Sequence, residues 1–207
     1  MEKEEDLSKE EKSCRDMCGA VNFSEKKASP GMSIVMSRWI GLQGTSRIVR
    51  EHGKEVSARL PDRMLQQMKT FGDALPAARE AEIAARFDVC EMREIRDGGI
   101  WRALWEMAED QNAGLTVRLW SIPVRQETIE VCEIFGLNPY ELLSGGAFLM
   151  VTGQGEALAA ELEEAGIHAA VIGWITDSND RIVLHRTSQG IKKRYLNRPG
   201  ADEIEKL

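Results

Sequence analysis

From about residue 30 onward the apolar positions alternate between two periods. Met32-Ser33-Ile34-Val35-Met36-Ser37 has apolar residues close to period two, and Leu115-Thr116-Val117-Arg118-Leu119-Trp120 alternates in the same way. Val89 to Ile95, residues 147–151, Ala169 to Ile175 and Arg181 to His185 are further short runs, so about six strands are predicted. Between them the period lengthens. Ile100, Ala103, Leu104, Met107 and Ala108 fall at i, i+3, i+4, i+7 and i+8, one face of a helix. Similar spacing predicts helices from Thr45, read as an N-cap, to Glu51, from Pro61 through Met64, Leu65 and Met68, and from Pro76 through Ile83 to Phe87. Two more carry Ile129, Cys132 and Phe135, and Leu158, Leu162 and Ala165. Gly114, Gly136 and Gly166 read as helix stops, and Asp177-Ser178-Asn179-Asp180 as the turn of a hairpin joining the last two strands. Helices interleaved with strands predict an α/β layer fold, a mixed sheet covered by helices.

Composition adds limits. With 207 residues, 43% of them hydrophobic, the chain can bury a real core in a single domain, expected at 30–190. Residues 1–29 are charge-dense, with few bulky apolar side chains before Met17, Val21 and Phe23, and are expected to be a flexible or partner-docked tail. A second charged tail is expected at 191–207. The formal charge of −7 argues against a nucleic-acid partner, which needs a basic patch to neutralise phosphates. No apolar run reaches the roughly 20 residues of a membrane span, and Met1-Glu2-Lys3-Glu4-Glu5-Asp6 is acidic where a signal peptide would be basic, so a cytoplasmic location is expected. Cys14, Cys18, Cys90 and Cys132 lack zinc-site spacing and are expected to be reduced thiols; no metal site is assigned.

Chemistry concentrates at Met92-Arg93-Glu94-Ile95-Arg96-Asp97-Gly98-Gly99-Ile100, where a strand ends in two glycines and a helix begins. Glycines at such a corner permit positive φ and close backbone approach, and the free N–H groups of the next helix attract anions. A tight turn without a ligand satisfies the same pattern. Ser144-Gly145-Gly146 is a second corner of this kind. Trp101 and Trp105 read as core or subunit contacts, and His52, His168 and His185 as surface or partly buried histidines.

Several blocks in order resemble the AIR synthase-related proteins of the PurM-like superfamily, whose relatives include the hydrogenase maturation factor HypE. The blocks are Pro30-Gly31 with Ile34-Val35-Met36 and Trp39-Ile40-Gly41-Leu42, Gly98-Gly99-Ile100 with Ala103 to Glu109, Ile122-Pro123 with Arg125 to Thr128, Phe135 to Tyr140, and Ala165-Gly166-Ile167 with Val171-Ile172-Gly173. The resemblance covers roughly residues 29 to 185. It implies a PurM-type C-terminal domain that, with an amino-terminal domain, completes an ATP site at a dimer interface and activates an amide-type oxygen by phosphorylation.

Two departures follow from the resemblance. Only about 29 residues precede the matching part, so the amino-terminal nucleotide-binding domain is expected to be absent, and no cofactor is expected to bind this chain alone; ATP and Mg are implied by the family only. Where family members carry a His-Asp-x-Thr-Glu-Gly-Gly type sequence, this chain has Arg93-Glu94-Ile95-Arg96-Asp97-Gly98-Gly99, and it ends Asp202 to Leu207 without the HypE-type terminal cysteine. The arginines suit phosphate better than proton transfer. Arg93, Arg96, Gly98, Gly99, Ser144, Gly145 and Gly146 are therefore the candidate ligand residues, and Glu94 and Asp97 the candidate catalytic or Mg²⁺-binding carboxylates. Three functions stay open: a partial or degenerate member of an ATP-dependent family that binds a phosphate-bearing ligand, a non-catalytic regulatory or interaction subunit, and a truncated product without activity. The partner expected is a second copy or a full-length PurM-like homologue.

Overall fold

The computed structural model describes residues 27–73 and 78–207. Seven strands form one sheet: β1 Ser33–Ser37, β2 Glu91–Ile95, β3 Gly114–Arg118, β4 Ala147–Thr152, β5 Ala169–Thr176, β6 Arg181–Thr187 and β7 Gly190–Tyr195. Their order is β2-β4-β1-β5-β3-β6-β7, antiparallel at every step except β3 beside β6. The mixed α/β class read from the sequence holds. β4, and the Ile34-Val35-Met36 centre of β1 where alternation was expected, are buried without alternation because both of their faces are covered, which is the pattern of a two-sided sheet.

The described helices are α1 Leu42–Glu51, α2 Gly53–Ser57, α3 Asp62–Lys69, α4 Ala78–Ala84, α5 Gly99–Gln111, α6 Gln126–Phe135 and α7 Gly155–Glu164. On one face Ile34, Met36, Ile95, Leu149, Val151, Leu115, Val117 and Val183 meet the predicted stripe of α5, whose Ile100, Leu104 and Met107 are fully buried. On the other, Val35, Phe148, Met150 and Ala169 pack with Ile83 and Ala84 of α4 and Leu158 and Leu162 of α7. A third cluster joins α1, α3 and α6 through Ile48, Met68, Val131 and Leu142. No described helix is long and apolar enough to cross a membrane.

Four local readings change. Helix α1 starts at Leu42 behind Gly41 at φ 72°, so Thr45 is not its N-cap; buried inside the helix, Thr45 Oγ1 donates to the Gly41 carbonyl at 2.7 Å and lies 3.1 Å from Thr128 Oγ1. Asn112 ends α5 in the left-handed region, and Gly114 already belongs to β3. Strands β5 and β6 are not hairpin partners, because β3 lies between them and the Asp177–Asp180 connection passes over its first residue. A Cβ on Gly114 would stand 2.3 Å from the Ser178 carbonyl, and Leu115 N–H donates to the Asp180 carbonyl at 2.9 Å. The expected tail 191–207 is instead ordered structure: β7 is the edge strand, and Glu203–Lys206 form a 3-10 turn with Asp202 and Glu203 buried. Of the expected tail 1–29, residues 1–26 lie outside the described residues, as do Pro76, Cys14 and Cys18; Ala28 N–H donates to Gln111 Oε1 at 2.8 Å.

Candidate functional site

Antiparallel pairing of Ile95 with Ala147 sets the two glycine corners side by side at one end of the sheet. Gly98 and Gly99 have φ of 75° and 62°, the left-handed region that favours glycine. At Gly99 the space is also closed, since a Cβ would lie 2.4 Å from the Tyr140 carbonyl oxygen. Glu94 ties the corners together: Oε1 accepts from Gly146 N–H at 3.0 Å, and Oε2 accepts from Arg96 Nε at 2.7 Å.

The candidate ligand residues divide. Arg96 is exposed, with Glu94 as its partner. Arg93 points to the α5 face, where Glu91 at 2.9 Å, Glu106 at 3.4 Å and Asp110 surround it. Burial works against its charge, but hydrogen bonds to Asp110 and Glu91 outweigh that and hold its pKa above the ordinary value. Ser144 is fully buried; its Oγ accepts from Gly41 N–H and donates to the Leu142 carbonyl, both at 2.7 Å, so it braces the corner against α1. Gly145 is covered by Gln43, whose Oε1 would be 2.0 Å from a Cβ there. Asp97 is exposed.

The N-terminus of α5 already holds an anion from the chain itself. Asp202, 2% exposed, accepts from Gly98 N–H at 2.6 Å through Oδ2, and from Ile204 N–H at 2.9 Å and Leu143 N–H at 3.3 Å through Oδ1. Its neighbour Glu203 accepts from Asn138 N–H at 3.1 Å and pairs with Lys206. Burial alone would raise the Glu203 pKa, but Lys206 and the Asn138 N–H outweigh it and the pKa lies below its ordinary value. Glu141, which shares a hydrogen bond with Glu203, is pushed the other way, first by burial and then by that contact. Arg102 fastens the same segment by donating to the Gly200 carbonyl at 2.6 Å. These acidic residues were missed in the sequence, although Asp202-Glu203-Ile204-Glu205 carries a helix-start signature, a capping aspartate three residues before a glutamate.

Glu94 has both oxygens engaged, and among the described residues no three His, Cys, Asp or Glu side chains group as ligands. The histidines are engaged elsewhere: His168 Nδ1 lies 2.6 Å from Glu163 Oε1 and its ring stacks on Trp39, while His52 meets Phe135 edge-on. His185 Nδ1 is buried with no hydrogen-bond partner among the described residues.

With this geometry in place, comparison with known proteins is informative. Residues 29–185 match the family described as AIR synthase related protein, C-terminal domain. The chain belongs to this family. Carbamoyl dehydratase HypE of Rhodobacter capsulatus is 28% identical over 148 residues, covering 69% of this chain and 44% of the relative. A putative hydrogenase expression/formation protein of Methanocaldococcus jannaschii is 24% identical over 181 residues, 86% of this chain and 51% of the relative. E. coli HypE superposes with a TM-score of 0.69 at 19% identity, over 87% of this chain and 54% of that one. A HypE structure in complex with ATP gives 0.66 at 24% identity, with the same coverage of both chains. These superpositions establish the shared fold. This AIR synthase related chain spans about half the length of the relatives it matches.

Proposed function

We propose that this chain is a HypE-like C-terminal domain whose paired glycine corners receive a phosphate-bearing ligand, and that catalysis needs a nucleotide-binding half supplied beyond the residues of this domain. One observation carries the reading: the N–H groups of Gly98 and Leu143 converge on a single carboxylate, that of Asp202. Amides that hold a carboxylate suit phosphate oxygens, which are also acceptor-only and anionic. Arg96, exposed beside Glu94, is the cation nearest in sequence to bring to such a ligand. HypE in complex with ATP and ThiL complexed with AMPPCP and TMP share this fold at 24% and 15% identity, and that likeness of fold supports a phosphate-bearing ligand. In this reading Asp202 must withdraw for the ligand to enter.

Calorimetric titration of the full chain with ATP and Mg²⁺ tests it. Weak binding by the natural chain and binding tighter by about fivefold or more in Asp202→Asn, which keeps the side chain's size and removes its charge, is the expected result. Absence of binding by both proteins at millimolar ATP would overturn the ligand reading. It would leave a non-catalytic interaction role with a full-length homologue.

A further inference from the structure

Among the described residues, one face of the sheet is only half covered by helices. On the α7 side, that helix packs on β1 and β5, and α4 packs on α7, so β3, β6 and β7 stand outside this layer. Strand register places Trp174, Thr116, Ile182 and Tyr195 in one row across β5, β3, β6 and β7 on that face. The next row is Arg118, Leu184 and Lys193, followed by Arg186 beside Ile191. Trp174, Ile191 and Tyr195 are 37%, 62% and 69% exposed, and with Leu207 they make up the exposed large hydrophobic side chains of the described residues. Three of those four share one face, with half-buried Ile182 and Leu184 between them; exposed apolar groupings of this kind mark protein contacts, and Trp, Tyr and Arg are the residue types that dominate such contacts.

The charges on the patch are polarised along the strands. Arg118, Arg186 and Lys193 lie on one side of the apolar row; half-buried Arg118 donates to the Val171 carbonyl at 2.7 Å and Arg186 lies 4.5 Å over the Trp120 ring, and among the described residues none of the three pairs with a carboxylate. Asp177 and Asp180 lie in the exposed turn on the other side and pair with no cation among the described residues. Asp180 and Leu184 are each two residues from Ile182, about 7 Å at the rise of a strand.

From this we infer that the open face binds a second copy of this chain, around a two-fold axis running along the Trp174-Thr116-Ile182-Tyr195 row and perpendicular to the strands. Such an axis lays the apolar row against itself and reverses the strand direction. The cationic side of each copy then meets the acidic turn of the other, two like contacts generated by one operation, in the face-to-face sheet packing that buries inner side chains. Continuation of the sheet edge to edge is disfavoured, because Lys192, Lys193 and Arg194 line β7 and like charges blunt an edge. The pairing does not depend on the ligand reading, since none of these residues touches the glycine corners.

Sedimentation equilibrium of the full chain, with circular dichroism to confirm folding of each variant, decides the matter. The natural chain is expected to have the mass of two copies at tens of micromolar and to weaken as salt rises. Asp177→Arg with Asp180→Arg should weaken the dimer by about tenfold or more, as should Arg186→Asp with Lys193→Asp. All four substitutions in one chain restore opposite charges across the axis and should bring the dissociation constant back to within about threefold of the natural value. A monomer at about 100 micromolar, a dimer indifferent to the first two variants, or a fourfold variant no tighter than either pair would each overturn the inference. So would association only with a different protein. ATP titration of the same samples reports separately on the corner, so failure of one reading is distinguishable from failure of the other.

Discussion

Gly99 and Gly136 have nearly the same backbone angle, φ 62° and 67°, and very different surroundings. Nothing lies within 4 Å of a Cβ placed on Gly136, whereas at Gly99 the Tyr140 carbonyl oxygen and the Glu141 backbone stand at 2.4 and 2.9 Å. Gly136→Ala should therefore cost only the left-handed conformation, about 1 kcal/mol, and Gly99→Ala about 3 kcal/mol or more, both measured by urea unfolding. The sequence marks both positions as glycine turns. It does not distinguish a glycine kept for φ from one kept because another strand of backbone passes against it. Glu203 supplies a pH test at the same scale. Its pKa is depressed in the folded chain, so its contribution is fully present above the ordinary carboxylate range and is lost as pH falls through the folded value. Glu203→Gln should cost about 1–3 kcal/mol at neutral pH, with the difference from the natural chain shrinking toward pH 3 in parallel urea titrations.

Among the elements, α5 was legible because its period is complete within thirteen residues: every position of the predicted stripe is buried. Leu104→Ala at its centre should cost about 2–5 kcal/mol by the same unfolding measurement, as deletion from a closed core does. Strand β7 was not legible, since Gly190-Ile191-Lys192-Lys193-Arg194-Tyr195 is exposed along its whole length and carries no inside-outside alternation. It is a strand because β6 offers an unpaired edge. Its amides should exchange with deuterium well before those of β1, which is paired on both sides with β4 and β5; equal protection of the two would contradict this placement.

For the whole molecule, local pattern and long-range pairing make separate contributions. The periodicities, the stops at Gly136 and Gly166 and the ordered family blocks were enough to establish an α/β sheet protein of the AIR synthase related family, because each depends on residues a few positions apart or on motif order. Tertiary structure alone decided that β3 separates β5 from β6, that Arg93 and Arg96 serve different faces, and that Ser144 is a brace. It also decided what meets the Gly98 N–H. That partner is Asp202, a residue 104 positions away in the chain, and Leu143, which completes the seat, lies 59 from it. A helix N-terminus or a guanidinium attracts any nearby carboxylate, and which carboxylate is near is a property of the closed fold. The residue types at the corner were therefore determined by the sequence, and their partners and free valences by the tertiary structure.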